Sequence, residues 1–359
     1  MKPNLSILIS GGGTGGHIFP AIAIGKALQA KYPDAKIEFV GAKDKMEMEK
    51  VPEAGFKITG LWISGIDRKI SLKNFAFPFK LISSVFKSFG IIRRVKPDIA
   101  IGVGGFASGP LLYAANVKGI PTLVQEQNSY PGITNKLLAK KANKICVAFE
   151  GMERFFEKDK IVITGNPIRE QLLNCTKTVS EARAHFHLQD VPTILIIGGS
   201  LGARTINKAV EQNLNLLKEE GVQILWQTGK SYQNTKEVFG VQTTFITEMD
   251  LAYRAADVVI SRAGASSLSE LSVLGKACIL VPSPNVTEDH QTKNAMALVN
   301  KAAAEMVTDA NASKDLIPLA LDIIANEERL KTLKTNITAL GKVHATDEIV
   351  AEIEKLIQP

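Results

Sequence analysis

Short apolar runs alternate along this chain with longer segments in which apolar residues recur at helical spacing. Near-continuous runs of Val, Ile and Leu that are joined by helices are typical of parallel strands covered on both faces. The pattern therefore predicts an α/β fold. The predicted strands are Leu5–Ile9, Lys36–Val40, Asp98–Gly102, Thr122–Gln125, Lys144–Ala148 and Ile161–Thr164, followed by Thr193–Ile197, Gln223–Gln227, Thr244–Thr247, Asp257–Ser261 and Cys278–Val281.

The strand series restarts at Thr193 with a glycine turn of its own, which predicts two doubly wound, Rossmann-like domains. A chain of 359 residues is long enough for two domains of ordinary size. The predicted domains cover residues 1–165 and 166–340, and the less ordered stretch from Gly165 to Asp190 is the predicted linker. A ligand is expected in the cleft between the domains, at the carboxyl ends of the strands.

A final helix is predicted from Ala345 to Ile357. Its residues Ile349, Ile353 and Ile357 fall on one face at helical spacing. The helix is expected to pack on one of the two domains, and the spacing alone leaves open which one.

Three glycine-rich turns follow predicted strands. They are Gly11–Gly16, which leads into His17, then Gly102–Gly105, and Gly198–Gly202. Glycines let backbone N–H groups approach an anion, and the N-terminus of a following helix adds partial positive charge. Three such turns in these positions predict a ligand that carries phosphate.

The first turn also matches the G-x-G-x-x-G pattern of dinucleotide sites, at Gly11, Gly13 and Gly16. That site needs an acidic residue at the end of the second strand to hold the ribose. Here the strand runs into Val40-Gly41-Ala42-Lys43, and Asp44 comes late, so NAD is disfavoured. The glycine spacing of a P-loop is absent around Thr228-Gly229-Lys230-Ser231.

His17 stands at the entrance to the first predicted helix. The helix dipole there favours neutral imidazole over imidazolium, which suits a general base or a hydrogen-bond donor. The alternative is a polar residue that closes the first turn without further function.

A run of amide and carboxylate side chains, Gln125-Glu126-Gln127-Asn128, follows a predicted strand, and Asn135 lies downstream. Such side chains match the hydroxyl groups of a sugar in hydrogen bonding. They fit an ordinary surface loop equally well.

The segment Ser261–Glu270 repeats the order strand, glycine turn and helix. Small residues at the helix start leave N–H groups for a phosphate, and Glu270 is placed to accept both hydroxyls of a ribose. An ordinary helix with a favourable acidic residue near its start is the alternative. Asp289-His290-Gln291 forms a further polar segment after a predicted strand.

The stretch from Lys69 to Arg94 is both basic and apolar. A helix starting at Pro78 places Phe79, Ile82, Phe86 and Phe89 on one face, with Lys80, Lys87 and Arg94 beside it. Attachment to anionic lipid and a core-facing helix with a solvated basic edge are the two interpretations. Whether Phe75, Phe77 and Phe79 contact lipid or pack inside stays open.

Composition narrows the class of protein further. The net charge of +7 indicates an anionic substrate, an anionic membrane surface or, last, nucleic acid, since no nucleic-acid motif is present. No run reaches the about 18 uncharged apolar residues that a spanning helix needs. Cys146, Cys175 and Cys278 lack metal or disulfide spacing, and the first strand starts almost at once, so a cytoplasmic protein without a secretory signal is expected.

Taken together, these motifs resemble the MurG-type glycosyltransferase family of bacterial peptidoglycan synthesis. The resemblance spans most of the chain in the family's order. The matching stretches are Gly12–Pro20, Lys43–Glu47, Val51-Pro52, Gly104–Pro110, Glu126–Asn128, Gly165–Arg169, Gly198–Arg204 and Arg262–Glu270.

The resemblance implies a GT-B fold in which the second domain binds UDP-N-acetylglucosamine, the first binds the lipid-linked acceptor lipid I, and a terminal segment, 341–359, packs back on the first. It implies inverting transfer to the acceptor's 4-hydroxyl without a required metal or other cofactor, at the cytoplasmic face of the cell membrane. His17 and Glu126 are then the expected catalytic residues, and Gly12, Gly13, Gly104, Gly105 and Asn135 the expected acceptor contacts. The expected donor contacts are Thr14, Gly15, Gly16, Asn128, Arg169, Ser200, Ile246, Ala265, Ser266, Ser267, Leu268, Ser269, Glu270 and Gln291. The expected membrane contacts are Phe75, Phe79, Lys80, Phe86 and Lys87.

Two positions depart from well-known family members. Gln125 stands where some carry His, and Phe106 stands where some carry Tyr. Neither imidazole nor phenol chemistry is required at these positions here, which favours His17 as the base. A UDP-sugar 2-epimerase, which needs no lipid acceptor, and a UDP-sugar sensor without turnover are the alternative functions.

Overall fold

The computed structural model describes residues 5–65, 75–232 and 236–357. The chain divides into two compact units. The first unit combines Met1–Ile168 with His344–Pro359, and the second is Arg169–Val343. The C-terminal helix thus belongs to the first unit. The two divisions, after Ile168 and after Val343, lie within three residues of the predicted domain boundaries at 165/166 and 340/341.

The first unit contains a parallel sheet in the order β3-β2-β1-β4-β5-β6-β7. The order reverses between β1 and β4, and the loops that follow these two strands leave the sheet at this switch point, where α/β proteins bind ligands. The strands are β1 (Ser6–Ser10), β2 (Lys36–Ala42), β3 (Lys57–Leu61), β4 (Ile99–Gly102), β5 (Thr122–Glu126), β6 (Lys144–Val147) and β7 (Ile161–Ile163).

Helices cover both faces of this sheet. Ile7 and Ile9 point to one face, where they pack with the C-terminal helix residues Ile349 and Ile353, and Leu8 points to the other, because side chains alternate along a strand. The helices are α1 (Gly15–Lys31), α2 (Glu47–Glu53), α3 (Phe77–Val95), α4 (Ser108–Val117), α5 (Ile133–Ala139) and the C-terminal helix (Ala345–Ile357), with short 3₁₀ turns at Met152–Arg154 and Lys158–Lys160.

The second unit contains a parallel sheet in the order β10-β9-β8-β11-β12-β13, and its switch point lies between β8 and β11. The strands are β8 (Thr193–Ile197), β9 (Gln223–Gln227), β10 (Gly240–Thr243), β11 (Val258–Ser261), β12 (Ala277–Leu280) and β13 (Glu305–Met306). The helices are α6 (Glu170–Leu173), α7 (Val179–His185), α8 (Arg204–Gln212), α9 (Leu214–Glu219), α10 (Met249–Ala255), α11 (Ala265–Val273), α12 (His290–Val299), α13 (Ala312–Ala325) and α14 (Glu327–Ala339), with 3₁₀ turns at Thr287–Asp289 and Asp309–Asn311.

Two sequence expectations about the second unit were wrong. The strand expected at Thr244–Thr247 is instead Gly240–Thr243, because those four residues pair with β9 and the threonines that follow enter a loop. The stretch to Asp190 is not a loose linker. It contains α7, which starts in a capping box of Thr178 and Glu181 and carries Arg183, buried against Asp190 and Asp257.

Candidate active site

The turn between β1 and α1 leaves the start of α1 open to an anion. Thr14 is the N-cap residue in extended conformation, and in the part of the chain that the structure describes no side chain caps the helix. The first turn contains Gly15, Gly16 and His17 and carries no acidic residue. The N–H groups and dipole of a helix start attract negative charge, as the sequence expectation for this turn requires.

A second glycine turn, after β4, packs directly against the first. Gly104 and Gly105 have φ of +93° and +86°, a region that favours glycine. A Cβ on Gly105 would lie 2.3 Å from the Gly12 carbonyl oxygen, and one on Gly104 would lie 2.6 Å from Cδ2 of His17. The structure therefore brings together His17 and the predicted acceptor glycines Gly12, Gly13, Gly104 and Gly105.

His17 is held by its own turn. Its Nδ1 lies 3.1 Å from the Gly12 carbonyl oxygen and 3.3 Å from Oγ1 of Thr14. A carbonyl oxygen only accepts, so Nδ1 carries the hydrogen and the neutral ring has its lone pair on Nε2. The Nε2 edge of the ring faces Gly104, since a Cβ there would lie 2.8 Å from Nε2. His17 is half-buried, and its role as a base stays a prediction.

Glu126 lies at the end of β5 and is almost fully buried. Its carboxylate accepts hydrogen bonds from N and Nδ2 of Asn128 (2.9 and 3.1 Å), N of Gly132 (3.3 Å) and Nδ2 of Asn135 (2.8 Å). Burial raises the pKa of the carboxyl, and these hydrogen bonds partly offset that rise. The contacts show Glu126 and buried Asn135 shaping the loop after β5. A catalytic role for Glu126 and acceptor binding by Asn135 stay predictions.

Gln125, at the position of departure from the family pattern, is also buried in this network. Its Nε2 donates to Oδ1 of Asn166 at 2.9 Å, and Nδ2 of Asn166 donates to the carbonyl of Gln127 at 3.1 Å. These bonds join the loop after β5 to the Gly165-Asn166 turn. Gln125 therefore supports the loop rather than facing a ligand.

In the second unit, the glycine turn after β8 allows the backbone to come close to the loop after β9. A Cβ on Gly202 would lie 1.9 Å from the Thr228 carbonyl oxygen, and exposed Ser200 lies at the tip of the turn. Gln227, which the sequence reasoning missed, donates to the Gly199 carbonyl at 3.0 Å and accepts from N of Ile246 at 2.9 Å. Gln227 thereby joins the predicted phosphate turn to Ile246, a predicted donor contact.

The start of α11 resembles that of α1. Gly264 is the N-cap residue in extended conformation, with no side-chain cap among the described residues, and the first turn, which starts at Ala265, has no acidic residue. Arg262, just before it, donates to the carbonyls of Val281 and Pro282 at 3.1 Å and pairs with Asp309 at 2.5 Å. The strand ends around this helix start are therefore held together, and the predicted donor contacts Ala265–Ser269 form its first turns.

Glu270 lies in α11 with only 7% of its surface exposed. Arg169 donates from Nε to its Oε1 at 3.0 Å and from Nη2 to its Oε2 at 3.1 Å, and the hydroxyl of Tyr253 donates to Oε2 at 3.0 Å. Burial raises the pKa of Glu270, while Arg169 and Tyr253 lower it. Arg169 and Glu270, predicted separately, are thus in direct contact. Tyr253 was missed because it lies within α10 without a motif.

Gln291 lies in the first turn of α12 and accepts a hydrogen bond from N of Ser283 at 2.8 Å. The chain reaches it through Glu288 and Asp289, both with φ above +50°. This bond holds the loop after β12 against α12. The remaining predicted donor contacts, Thr14–Gly16 and Asn128, lie in the first unit.

The α3 segment presents an apolar face to solvent. Phe75, Phe79 and Phe86 are 73%, 69% and 72% exposed, whereas Phe77 and Phe89 pack against the core. Phe89, which the helical spacing places on one face with Phe79 and Phe86, is therefore turned toward the core instead. Within the described ranges, no helix is both long and apolar enough to cross a membrane.

The basic residues of α3 turn back toward the sheet. Lys80 donates to Oγ of Ser64 at 2.9 Å, Lys87 donates to the Gly60 carbonyl at 2.8 Å, and Arg94 pairs with Glu38. These bonds fix α3 to β2 and to β3 and the segment after it. Lys69 lies outside the described residues.

No group of three or more His, Cys, Asp or Glu side chains that could hold a metal ion occurs in residues 5–65, 75–232 or 236–357.

Comparison with known proteins agrees with this geometry. Residues 7–147 match the family model described as the glycosyltransferase family 28 N-terminal domain, and residues 193–349 match the C-terminal domain model of the same family. Two parallel sheets with open helix starts at their switch points, together with these matches, define a glycosyltransferase of the GT-B fold.

Curated relatives narrow the family. A UDP-N-acetylglucosamine--N-acetylmuramyl-(pentapeptide) pyrophosphoryl-undecaprenol N-acetylglucosamine transferase of Cytophaga hutchinsonii is 56% identical, with 98% of this chain and 96% of the relative covered. The same-named protein of Parabacteroides distasonis is also 56% identical, with 98% of each chain covered. The crystal structure of Acinetobacter baumannii MurG is 26% identical, with a TM-score of 0.78 over 98% of this chain and 99% of that one. The chain belongs to the MurG family within glycosyltransferase family 28.

A UDP-N-acetylglucosamine 2-epimerase structure from Listeria monocytogenes also matches, with a TM-score of 0.65 over 98% of this chain and 96% of that one. Its sequence identity is only 12%, so the likeness shows a shared fold.

Proposed function

We propose that this chain transfers N-acetylglucosamine from UDP-N-acetylglucosamine to the C4 hydroxyl of undecaprenyl-diphospho-N-acetylmuramoyl-pentapeptide, lipid I, and so forms lipid II. The observation that carries the proposal is the orientation of His17 at the open start of α1, against the Gly104-Gly105 turn. The names of relatives that are 53–56% identical over nearly the whole chain support the same reaction.

The second unit binds the donor in this proposal. The diphosphate lies at the turn of Gly198–Gly202 and at the start of α11, where N–H groups and helix dipoles offset its charge. Ser200 contacts the diphosphate, and Glu270 accepts the ribose hydroxyls. Arg169 and the backbone at Ile246 lie near the nucleotide. Gln291 contacts the sugar.

The chemical step is a single displacement at the anomeric carbon. The C4 oxygen of the acceptor forms the new bond to C1 of N-acetylglucosamine as the bond from C1 to the diphosphate oxygen breaks. The bonding pair leaves with UDP, and the acceptor proton passes to Nε2 of His17. One displacement inverts the configuration at C1. The acceptor's own diphosphate lies near the start of α1 and the Gly104-Gly105 turn.

The departing UDP gathers negative charge. We assign the stabilisation of this charge to the helix starts at α8 and α11 rather than to a bound cation. Backbone donors that are already oriented stabilise such charge without rearranging during the reaction. Turnover is accordingly expected to persist in EDTA.

The exposed face of Phe75, Phe79 and Phe86 is the proposed contact with the anionic, cytoplasmic surface of the membrane that carries the acceptor. Apolar side chains at a helix surface enter the boundary between lipid headgroups and acyl chains. The net charge of +7 favours an anionic surface. No nucleic-acid partner is proposed.

The test is UDP release from UDP-N-acetylglucosamine in detergent, with and without a lipid I analogue, with the sugar products identified. Release that requires the analogue and yields a disaccharide is expected. Donor consumption without acceptor, with a change at C2 of the sugar, would indicate epimerase chemistry. Donor binding without any release would indicate a sensor, and either result would contradict the proposal.

A further inference from the structure

Glu47 is a fully buried carboxylate directly behind the first glycine turn. It is the first residue of α2 and has no exposed surface. Its Oε1 accepts from N of Ala42 and its Oε2 from N of Gly13, both at 3.0 Å. A Cβ on Gly12 would lie 2.2 Å from Oε1, so only glycine lets the turn sit against this carboxylate.

No lysine or arginine forms an ion pair with Glu47 in the part of the chain that the structure describes. Backbone N–H groups are therefore its partners, and one of them belongs to the turn that holds His17. A buried carboxylate is costly unless such bonds compensate it, and its charge is little screened by solvent. The negative charge is thus felt by the groups bonded to it.

The same peptide group contacts both Glu47 and His17. The N–H of Gly13 donates to Glu47, while the carbonyl of Gly12, the other end of that planar unit, accepts from Nδ1 of His17. A negative charge at the N–H end polarises the peptide and makes its carbonyl oxygen a stronger acceptor. The Nδ1–H tautomer of His17 is thereby favoured.

This arrangement also bears on the charge that His17 gains. The start of α1 disfavours imidazolium, because the helix dipole is positive there. The Glu47 carboxylate, acting through the peptide, offsets that effect as the ring takes the acceptor proton. A base is commonly oriented by a third group in this way.

We propose that Glu47 is a positioning residue for His17 and acts through the Gly12–Gly13 peptide. The inference rests on the proposed function, in which His17 receives the proton. That proton goes to Nε2, Nδ1–H remains bonded to Gly12, and Glu47 neither gains nor loses a proton.

The test compares Glu47→Gln with the unchanged enzyme. We expect kcat to fall about 10-fold, similar to the loss when the hydrogen-bond partner of a metal-ligating histidine is removed, while KM for both substrates stays within about twofold. In a His17→Ala background the same change is expected to have no further effect on kcat, because Glu47 then has no imidazole to orient. Glu49→Gln, an exposed position on the same helix, is the matched control.

A spectroscopic measurement detects the effect of Glu47 on the His17 tautomer without turnover. The chain has five histidines, so ¹⁵N-histidine labelling gives few signals, and the His17 signals are those missing from His17→Ala. We expect a lower fraction of the Nδ1–H tautomer in Glu47→Gln. If that variant does not fold, Glu47→Asp, which keeps the charge, is expected to retain the tautomer and part of kcat.

The outcomes separate the two proposals. An unchanged tautomer in Glu47→Gln, a rise in KM in place of a fall in kcat, or a loss that adds to that of His17→Ala would overturn the role of Glu47. Full activity of His17→Ala would instead overturn His17 as the base, and with it the part of Glu47 in catalysis.

Discussion

Arg169 and Glu270 form a bidentate ion pair, with Nε–Oε1 and Nη2–Oε2 distances of 3.0 and 3.1 Å. The carboxylate is buried, while 44% of the arginine side chain is exposed. A ribose that binds Glu270 must therefore share this carboxylate with Arg169. The pair also holds Arg169 beside the proposed nucleotide site, so we expect the two residues to act as one unit in donor binding.

Replacing Glu270 with Gln is expected to weaken donor binding more than turnover. The amide accepts from the ribose less strongly and loses its charge-assisted bonds to Arg169, so we expect KM for UDP-N-acetylglucosamine to rise about 10- to 100-fold. Calorimetric titration with UDP checks the affinity directly. Glu219→Gln, on the exposed surface of α9, is the control, and unaltered UDP affinity in Glu270→Gln would contradict ribose binding by Glu270.

Tyr253→Phe removes one donor from the same carboxylate. Since the Glu270 carboxylate is buried, we expect a loss of about 1–3 kcal/mol in unfolding free energy of the second unit and a smaller, several-fold loss of UDP affinity. Chemical denaturation and UDP titration measure the two effects. An affinity loss as large as that of Glu270→Gln would show instead that Tyr253 itself contacts the nucleotide.

Gly105→Ala is expected to disable the enzyme. Its φ of +86° and the 2.3 Å approach of a Cβ to the Gly12 carbonyl force the first turn to shift, and His17 shifts with it. We expect at least a 100-fold loss in kcat/KM. Gly119→Ala is the matched control, since Gly119 also has positive φ, +69°, but no atom within 4 Å of the new Cβ. It should cost about 1 kcal/mol of stability and leave activity unchanged. Similar activity losses in both variants would refute the proposed loop contact.

Much of the fold was predictable because its strongest signals are local. The β8 strand, Thr193–Ile197, and the C-terminal helix, Ala345–Ile357, have the bounds that apolar spacing predicts. The strand Lys57–Leu61 was missed because it mixes charged, polar and apolar residues at the edge of the sheet. Glu305–Met306 is too short to leave a pattern.

The candidate site residues that the pattern predicts lie in segments of strand, glycine turn and helix or in polar runs after predicted strands. His17 follows such a turn directly, whereas Gln227 ends a strand, Tyr253 lies within a helix and Glu47 starts one, without a turn motif of their own. The contact of Glu47 with Gly13 joins residues 34 positions apart in the chain, and the contact of Tyr253 with Glu270 joins residues 17 positions apart. Folding creates these pairs, and no spacing rule predicts them.

Lys276 is a further group whose environment changes on folding. Burial lowers its pKa to about 8, and its Nζ donates to the Ala256 carbonyl at 2.8 Å. In the unfolded chain, Lys276 stays protonated up to about pH 10.4. Between about pH 8 and about pH 10.4 the unfolded chain therefore binds more protons than the folded chain. The contribution of Lys276 to stability therefore increases as pH rises from about 8 to about 10.4.

Lys276→Met is expected to remove this pH dependence and to stabilise the second unit at pH 7 by about 1 kcal/mol. Trp226 lies in the core of that unit, and the only other tryptophan is Trp62. Fluorescence-detected urea unfolding in a Trp62→Phe background thus reports on the second unit. An equal rise in stability with pH in both proteins would contradict the assignment to Lys276.

The exposed face of α3 should determine adsorption to lipid. Because Phe75, Phe79 and Phe86 are largely exposed, changing all three to Ser is expected to leave thermal stability and detergent activity almost unchanged. Co-sedimentation with vesicles rich in phosphatidylglycerol should fall at least 10-fold, since each aromatic side chain that enters the lipid contributes a few kcal/mol of transfer free energy. Val179→Ser, an exposed apolar position on α7, is the control. Undiminished sedimentation of the triple variant would show that charge alone, or another face, holds the protein at the membrane.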